Sequence, residues 1–388
     1  MSTSPPLLGR NLAEMRCLRC GALHPASASA YLCPTCGRGD AADAGILDAQ
    51  YDYEAARAEM ERGFDGVRRG VFRWDALLPV AAQGAGALEA GGTPLVAAPV
   101  LAKRLGLREL WLKDETANPT RCLKDRATSV AVAMAAARGM DQLFCASAGN
   151  AAISLAGFCA NGGARAHVWV PARVSDERLA WLRRFGATVH VSAGDYDAAF
   201  DEAEDEGHRR GWYSRNCAFN PFLVEGKKTV AFEIAEQLGR VPDLVVAPVG
   251  DGCTLGAIGK GFRELREIGR ADDLPRLLGV QAEGVQPLVA RLNGSVSNAD
   301  GGTRAASIAV RRPRNALRLL HELRASGGTL VAVPDAETEA ASAALARDAG
   351  VTCEFTSATA LAGLARLAQS ESLEGKTAVL VITGGRED

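Results

Sequence analysis

A chain of 388 residues with 47% hydrophobic and 23% charged residues has room for two or three domains and a large buried core. Its 44 Lys and Arg against 46 Asp and Glu leave a formal charge of -2, so no global positive field points to nucleic acid or an anionic membrane, and a small-molecule partner is expected. No apolar run approaches the roughly 20 residues that span a bilayer, and "MSTSPPLLGRNLAEMR" lacks a signal-peptide core, so the cytoplasm is the expected compartment.

The first element in the chain is a cysteine cluster. Cys17, Cys20, Cys33 and Cys36 follow a C-x2-C-x12-C-x2-C spacing, while the other six of ten cysteines are scattered. Each CxxC turn offers two thiolates to one ion, and four thiolates leave no open coordination position, so the pattern predicts a structural zinc ribbon rather than four unrelated reduced thiols. The intervening "LHPASASAY" carries no basic-aromatic surface for nucleic acid.

Beyond it, "GILDAQYDYEAARAEMERGFDGVRRGVFRW" predicts an extended start and an amphipathic helix. "TPLVAAPVLAKRLGLRELWLKDE" then gives a turn, a helix and the short strand "LWLK". From there "DQLFCAS", "ARAHVWVP", "ATVHVSAG", "DLVVAPVG", "LLGVQAEG", "GTLVAVP" and "AVLVITGG" predict buried strands. Helical stretches such as "AAISLAGFCANG", "SDERLAWLRRFG", "KTVAFEIAEQLG" and "TEAASAALARDAG" separate them. This alternation predicts an α/β fold with a largely parallel sheet, whose ligands sit outside the carboxyl ends of the strands. "LNGSVSNADGGTRAAS" is the expected flexible loop.

Four segments carry candidate chemistry. In "TANPTRCLKDRATS", Lys124 stands where a loop enters a helix; there the positive helix end disfavours the cation and frees an amine for Schiff-base chemistry, although taken alone this is an ordinary surface lysine. In "CASAGNAAISLAG", a strand ends at Ser147, Gly149 and Asn150; its amides suit a carboxylate and Asn150 a ring substituent, with a simple helix cap as the alternative. In "VVAPVGDGCTLGAIGKGF", Gly250, Gly252 and Gly256 allow close backbone approach and Thr254 adds a hydroxyl. This is neither GxGxxG nor a Walker loop, so a small phosphate ester fits better than NAD or ATP. The fourth, "AVLVITGGRED", ends a strand at Thr383, whose hydroxyl can donate to a neutral ring nitrogen.

In order and character these segments resemble the fold-type II pyridoxal-phosphate enzymes, threonine synthases most closely, over about residues 90 to 388. "LKDETANPTRCLKDR" is similar to the family's "KDE..NPTGSFKDR", "SAGNAA" to "SSGNAG", "NPFLVEGKKTVAFEIAEQLG" to "NP...EGQKT.A.EI", and "VGDGCTLGAIGKGF" to "VGNGGNL.G..KGF". The N-terminal zinc ribbon resembles one seen in some threonine synthase-like proteins. The resemblance implies a tryptophan synthase β-like fold of two open, twisted, mostly parallel sheets flanked by helices. It implies a large cofactor domain (46–124 and 226–388), a smaller mobile domain (125–225) and an N-terminal ribbon segment (1–45). It further implies that Lys124 carries pyridoxal phosphate through a Schiff base and acts on the substrate α-proton. Asn150 would contact the ring hydroxyl, Gly250, Asp251, Gly252, Cys253 and Thr254 the phosphate, and Thr383 the ring nitrogen. The amides of Ser147, Ala148 and Gly149 would hold the carboxylate of an amino-acid substrate, expected to be phosphorylated. A homodimer is implied by the resemblance alone.

Departures from the family fall near the substrate. Cys122 and Leu123 replace Ser-Phe; Cys253 replaces a phosphate-loop glycine, with Asp251 before it expected to point away or onto backbone amides. Leu223 stands where threonine synthases often have Arg, and Ala306 where the family has Asp. "TSATALAG" replaces the family's "EPAGA.A.AG" only loosely, with Glu354 kept just before it, Arg386 and Glu387 alter the C-terminal ending, and "RRPR" adds three cations. The leading reading is therefore a threonine synthase or a close paralogue. The alternatives are β-elimination of serine or threonine, β-replacement such as cysteate formation, or a catalytically silent relative.

Overall fold

Runs of Val, Leu and Ile bounded by Gly, Pro or Asp form strands here, and the Ala-rich stretches between them form helices. The computed structural model describes residues 8–27, 29–39, 41–62, 69–81, 88–295 and 301–385. The first elements are β1 (Leu12–Cys17), β2 (Leu23–Pro25), β3 (Leu47–Tyr51), α1 (Tyr53–Glu61), β4 (Leu95–Ala97), α2 (Pro99–Arg104) and β5 (Glu109–Asp114). There follow α3 (Lys124–Ala137), β6 (Gln142–Ala146), α4 (Asn150–Gly162), β7 (Arg165–Val170), α5 (Asp176–Arg184), β8 (Thr188–Val191), α6 (Tyr196–Arg209), β9 (Tyr213–Ser214) and α7 (Phe222–Leu238). The chain continues through β10 (Leu244–Pro248), α8 (Cys253–Glu267), β11 (Arg276–Ala282), α9 (Pro287–Leu292), α10 (Ala316–Ala325), β12 (Thr329–Val333), α11 (Asp335–Ala349), α12 (Phe355–Ser370) and β13 (Thr377–Ile382).

These elements fall into two compact units, one of residues 1–35, 46–92 and 118–227, the other of residues 36–45, 93–117 and 228–388. The first unit holds a small antiparallel sheet in the order β2-β1-β3 and a four-stranded parallel sheet in the order β8-β7-β6-β9. Helices α4 and α6 pack on β6 and β7, and α3 packs on α4. Gly226, at the start of α7, lets that helix press onto α3: a Cβ there would lie 2.0 Å from the Arg126 carbonyl oxygen, so the contact requires a residue without a side chain.

The second unit is built on a six-stranded sheet in the order β12-β11-β10-β13-β5-β4, parallel except for β4. Strands β10 and β13 are buried along their whole length, as expected of a parallel sheet covered on both faces. Leu110, Leu112, Val246, Leu278, Val280, Leu380 and Ile382 meet Leu361 and Leu364 of α12 in its core; each such side chain contributes about 1.5–3 kcal/mol by leaving water. Lys113, on β5, is fully buried and donates to Glu233 at 2.7 Å, to the Thr93 carbonyl at 2.7 Å and to Gln237 at 2.9 Å. Three acceptors, one of them charged, offset the cost of taking the ammonium out of water.

The predicted strands and helices lie where the periodicity placed them. Leu95–Ala97, between the predicted Gly/Thr/Pro turn and helix, forms a strand the sequence reading does not anticipate and pairs antiparallel with β5; three residues at a sheet edge are too short to show a period. Of the expected flexible loop, residues 296–300 lie outside the described residues. No helix among the described residues is long and apolar enough to cross a membrane.

Candidate active site

Lys124 is the first residue of α3 and is half-buried. The turn before it is closed by Asp125, whose carboxylate accepts from the Thr120 amide at 2.6 Å and from the Thr120 hydroxyl. Burial pushes the Asp125 carboxyl up, while the Thr120 hydrogen bonds pull the other way. Behind the lysine, Arg215 donates to the Lys124 carbonyl at 3.1 Å and to the Thr128 hydroxyl at 3.1 Å. Lys124 thus stands on a backbone fixed from both sides.

Ser147, Ala148 and Gly149 connect β6 to α4, and Asn150 opens the helix. The Ser147 amide donates to the Trp169 carbonyl at 3.0 Å, extending the sheet, and the Gly149 amide donates to the Ser147 hydroxyl at 3.1 Å. Asn216 anchors the strand end by accepting from the Ala146 amide at 2.9 Å. The Cys122 sulfur lies 3.9 Å from the Asn150 carbonyl oxygen and 3.7 Å from the Thr120 hydroxyl. The first unit therefore brings Lys124 together with Ser147, Ala148, Gly149 and Asn150.

The second unit brings together the remaining cofactor candidates. Gly250 to Thr254 leave β10, and Thr383 leaves the adjacent parallel strand β13, so both sit at carboxyl ends of neighbouring strands, where open α/β sheets place ligands. Gly252 caps α8 at φ +94°; a Cβ there would meet the Asn315 carbonyl oxygen at 2.9 Å. Asp251 turns onto its own loop, accepting from the Cys253 amide at 2.9 Å and from Asn315 Nδ2 at 3.1 Å. The Thr383 hydroxyl lies 2.9 Å from that of Ser357 on α12, which also accepts from the Gly384 amide at 3.0 Å. Thr383 is thereby oriented by a second hydroxyl.

In the N-terminal segment the ligand atoms of Cys17, Cys20, Cys33 and Cys36 all lie within 4.8 Å of one another. Among the departures, Leu223 is fully buried in the first turn of α7, Arg311 and Arg312 are exposed and Arg314 is buried. Arg386 and Glu387 lie outside the described residues.

Sequence reasoning passed over Arg121, Arg215 and Ser357. Arg121 is exposed and is the one described non-glycine residue with positive φ, at 60°. The signal was present, because the quoted family motif has Gly at that position and only Gly enters this region at no cost. For Arg215 and Ser357 no spacing rule existed, since each reaches its partner only through the fold.

Comparison with known proteins gives the family. The profile of the family described as pyridoxal-phosphate dependent enzyme matches residues 87–384. A threonine synthase of Methanocaldococcus jannaschii is 36% identical over 380 residues, covering 95% of this chain and 91% of its own. One of Methanosarcina acetivorans is 35% identical over 378 residues, covering 96% and 91%. Among solved structures, the processed form of threonine deaminase isoform 2 from Solanum lycopersicum shares the fold with a TM-score of 0.64 at 22% identity, covering 76% of this chain and 80% of that one.

Proposed function

The chain belongs to the family of pyridoxal-phosphate dependent enzymes, and from that premise we propose that it is a threonine synthase-type lyase, converting O-phospho-L-homoserine and water into L-threonine and phosphate. The observation that carries the finer reading is the match at 36% identity across 95% of the chain to a threonine synthase.

The residues present fit the cofactor. The Gly252 backbone leaves no room for a side chain and opens α8, so the Thr254 amide suits a phosphate at a helix N-terminus, with the Cys253 amide held by Asp251. Asp251 keeps its charge on Asn315 and the Cys253 amide. In this reading Gly250 to Thr254 hold the phosphate, Thr383 meets the ring nitrogen as a neutral donor, Asn150 contacts the ring hydroxyl, and Lys124 carries the group. When bound, pyridoxal phosphate supplies an electron sink for negative charge at the substrate α-carbon.

The protein's own groups do the rest. Ser147, Ala148 and Gly149 hold the substrate carboxylate; with the Ser147 amide spent on Trp169, Ser147 contributes its hydroxyl, and turning that hydroxyl releases the Gly149 amide. Lys124 Nζ moves the α-proton, positioned through its carbonyl by Arg215. The Asn150 loop closes to keep water out until it is needed. The four cysteines hold a structural zinc: Zn–S distances of about 2.3 Å imply sulfurs roughly 3.8 Å apart, and Cys20 and Cys33 stand at 3.9 Å.

Leu223 in the core favours a second reading, a paralogue with a different amino-acid substrate, because a buried Leu offers no cation to a substrate phosphate. Phosphate release from O-phosphohomoserine, with threonine quantified in the same sample, separates the two. Matching amounts are expected, and none from Lys124→Ala. No release from a protein with its cofactor bound points to the paralogue, and turnover retained in Lys124→Ala removes the lysine from its role.

A further inference from the structure

Between β9 and α7 the chain sets a thiol between two buried cations. Arg215 is 2% exposed and Lys227 1% exposed, yet Arg215 Nη1 and Lys227 Nζ each lie 3.3 Å from Cys217 Sγ. A guanidinium stays charged at every pH at which proteins fold. The hydrogen-bond acceptors of Arg215 are the Thr128 hydroxyl, the Lys124 carbonyl and this thiol; of the three, the thiol alone can take up negative charge near neutral pH. The other titratable groups facing Arg215 are otherwise engaged. Asp125 is bonded to Thr120. Cys122 and Cys145 also face it, but both are buried, and burial pushes Cys145 up to about 12.

All ten cysteines are described. Four belong to the N-terminal cluster, and Cys122, Cys145, Cys159, Cys253 and Cys353 are buried, so Cys217 is the cysteine outside the cluster that a solvent-borne reagent reaches. Its second cation, Lys227, occupies the Gln position of the quoted "EGQKT" motif.

The geometry points to Cys217 as a thiolate held by Arg215 and Lys227, a site of addition for small electrophiles and of oxidation by peroxides, read out at Lys124 through Arg215. A thiolate flanked by cations is the reactive form of cysteine, whereas buried thiols are inert. In the oxidation, the Cys217 sulfur attacks one peroxide oxygen: an S–O bond forms, the O–O bond breaks, and the departing hydroxide takes a proton from solvent. Sulfur is oxidised to sulfenic acid and the peroxide is reduced to water. Arg215 then faces a neutral group in place of an anion, and its grip on the Lys124 carbonyl changes.

The test is competitive alkylation of the cofactor-loaded protein with limiting iodoacetamide from pH 6 to 9, each cysteine quantified by peptide mass spectrometry, beside Lys227→Gln. An ordinary thiol with pKa about 8.5 reacts roughly fifty-fold more slowly at pH 6.5 than at pH 8.5. Cys217 is expected to change by less than about fivefold over that range, and Lys227→Gln to restore most of the steep dependence. A fifty-fold rise in both proteins overturns the proposal. Peroxide should trap sulfenic acid at Cys217 and change the absorbance of the bound cofactor, and Cys217→Ser, which already sets a neutral hydroxyl against Arg215, should show no further change with peroxide. An equal change in Cys217→Ser overturns the link to Lys124. The alkylation readout needs no substrate, so its result stands apart from whether O-phosphohomoserine is turned over.

Discussion

Replacing Gly252 by Ala tests the phosphate loop directly. At φ +94° an L-residue is strained by about 1–3 kcal/mol. The added Cβ would also lie 2.9 Å from the Asn315 carbonyl oxygen and 3.0 Å from Leu319 Cβ. Asn315 cannot yield alone, because its amide donates to the Asp251 carbonyl at 3.0 Å and its side chain to the Asp251 carboxylate at 3.1 Å. Overpacking of this kind adds about 1–3 kcal/mol, giving roughly 2–6 kcal/mol in all, with about 2–4 °C lost from the melting temperature for each kcal/mol. The decisive assay titrates the apoprotein with pyridoxal phosphate and, separately, with pyridoxal, following the absorbance of the bound ligand. Displacing the first turn of α8, with its Thr254 amide, should weaken pyridoxal phosphate by tenfold or more while pyridoxal binding changes little. If Gly252→Ala lowers stability but leaves the preference for the phosphorylated ligand intact, the loop is not the phosphate cradle.

Asp251→Asn keeps the acceptor for the Cys253 amide and removes a negative charge from the loop, so it should tighten pyridoxal phosphate several-fold at low salt; weaker binding in the same titration argues against a phosphate there. Chelation should release about one equivalent of zinc per chain from the four-cysteine cluster and lower the melting temperature, and Cys20→Ser should purify with less metal. Unchanged metal content by atomic absorption would exclude the cluster. His167 faces His190 at 3.4 Å between ring nitrogens and stacks on Trp212 at 3.7 Å; burial, followed by the His190 and Arg210 charges, holds it down to about 4 from an ordinary 6.5. The unfolded chain therefore takes up the proton first, so stability is full above about pH 6.5 and declines toward pH 4. His167→Phe should flatten the melting-temperature profile over that interval, and an unaltered slope would dismiss the contribution.

Much of this was legible in the sequence because the parallel strands are nearly continuous apolar runs. "DLVVAPVG" and "AVLVITGG" need only their composition and bounding glycines to be recognised. The cysteine spacing was equally direct. What stayed hidden depends on strand order and on contacts across long separations. Nothing in residues 377–382 says that this strand lies between β10 and β5, and that placement is what sets Thr383 beside the Gly250 loop. Arg215 and Lys227 are twelve residues apart on a loop and a helix, and their convergence on Cys217 follows no local period. Asp251 could be read as an acidic residue near a phosphate, but its retreat onto Asn315 required α10 to be in position.

The place of β13 also governs how the chain can assemble. It is the last strand among the described residues, yet it stands in the interior of the six-stranded sheet, hydrogen-bonded on both sides. During synthesis β5 and β4 emerge early and β10 to β12 later, and the two groups have no complete edge to join until residues 377–382 have left the ribosome. Long-range parallel pairing of this kind slows folding and leaves apolar strands exposed meanwhile. Removing residues 377–382 would therefore divide the sheet at its centre rather than trim its margin, and a nascent chain stalled before that point should depend on chaperones to stay soluble.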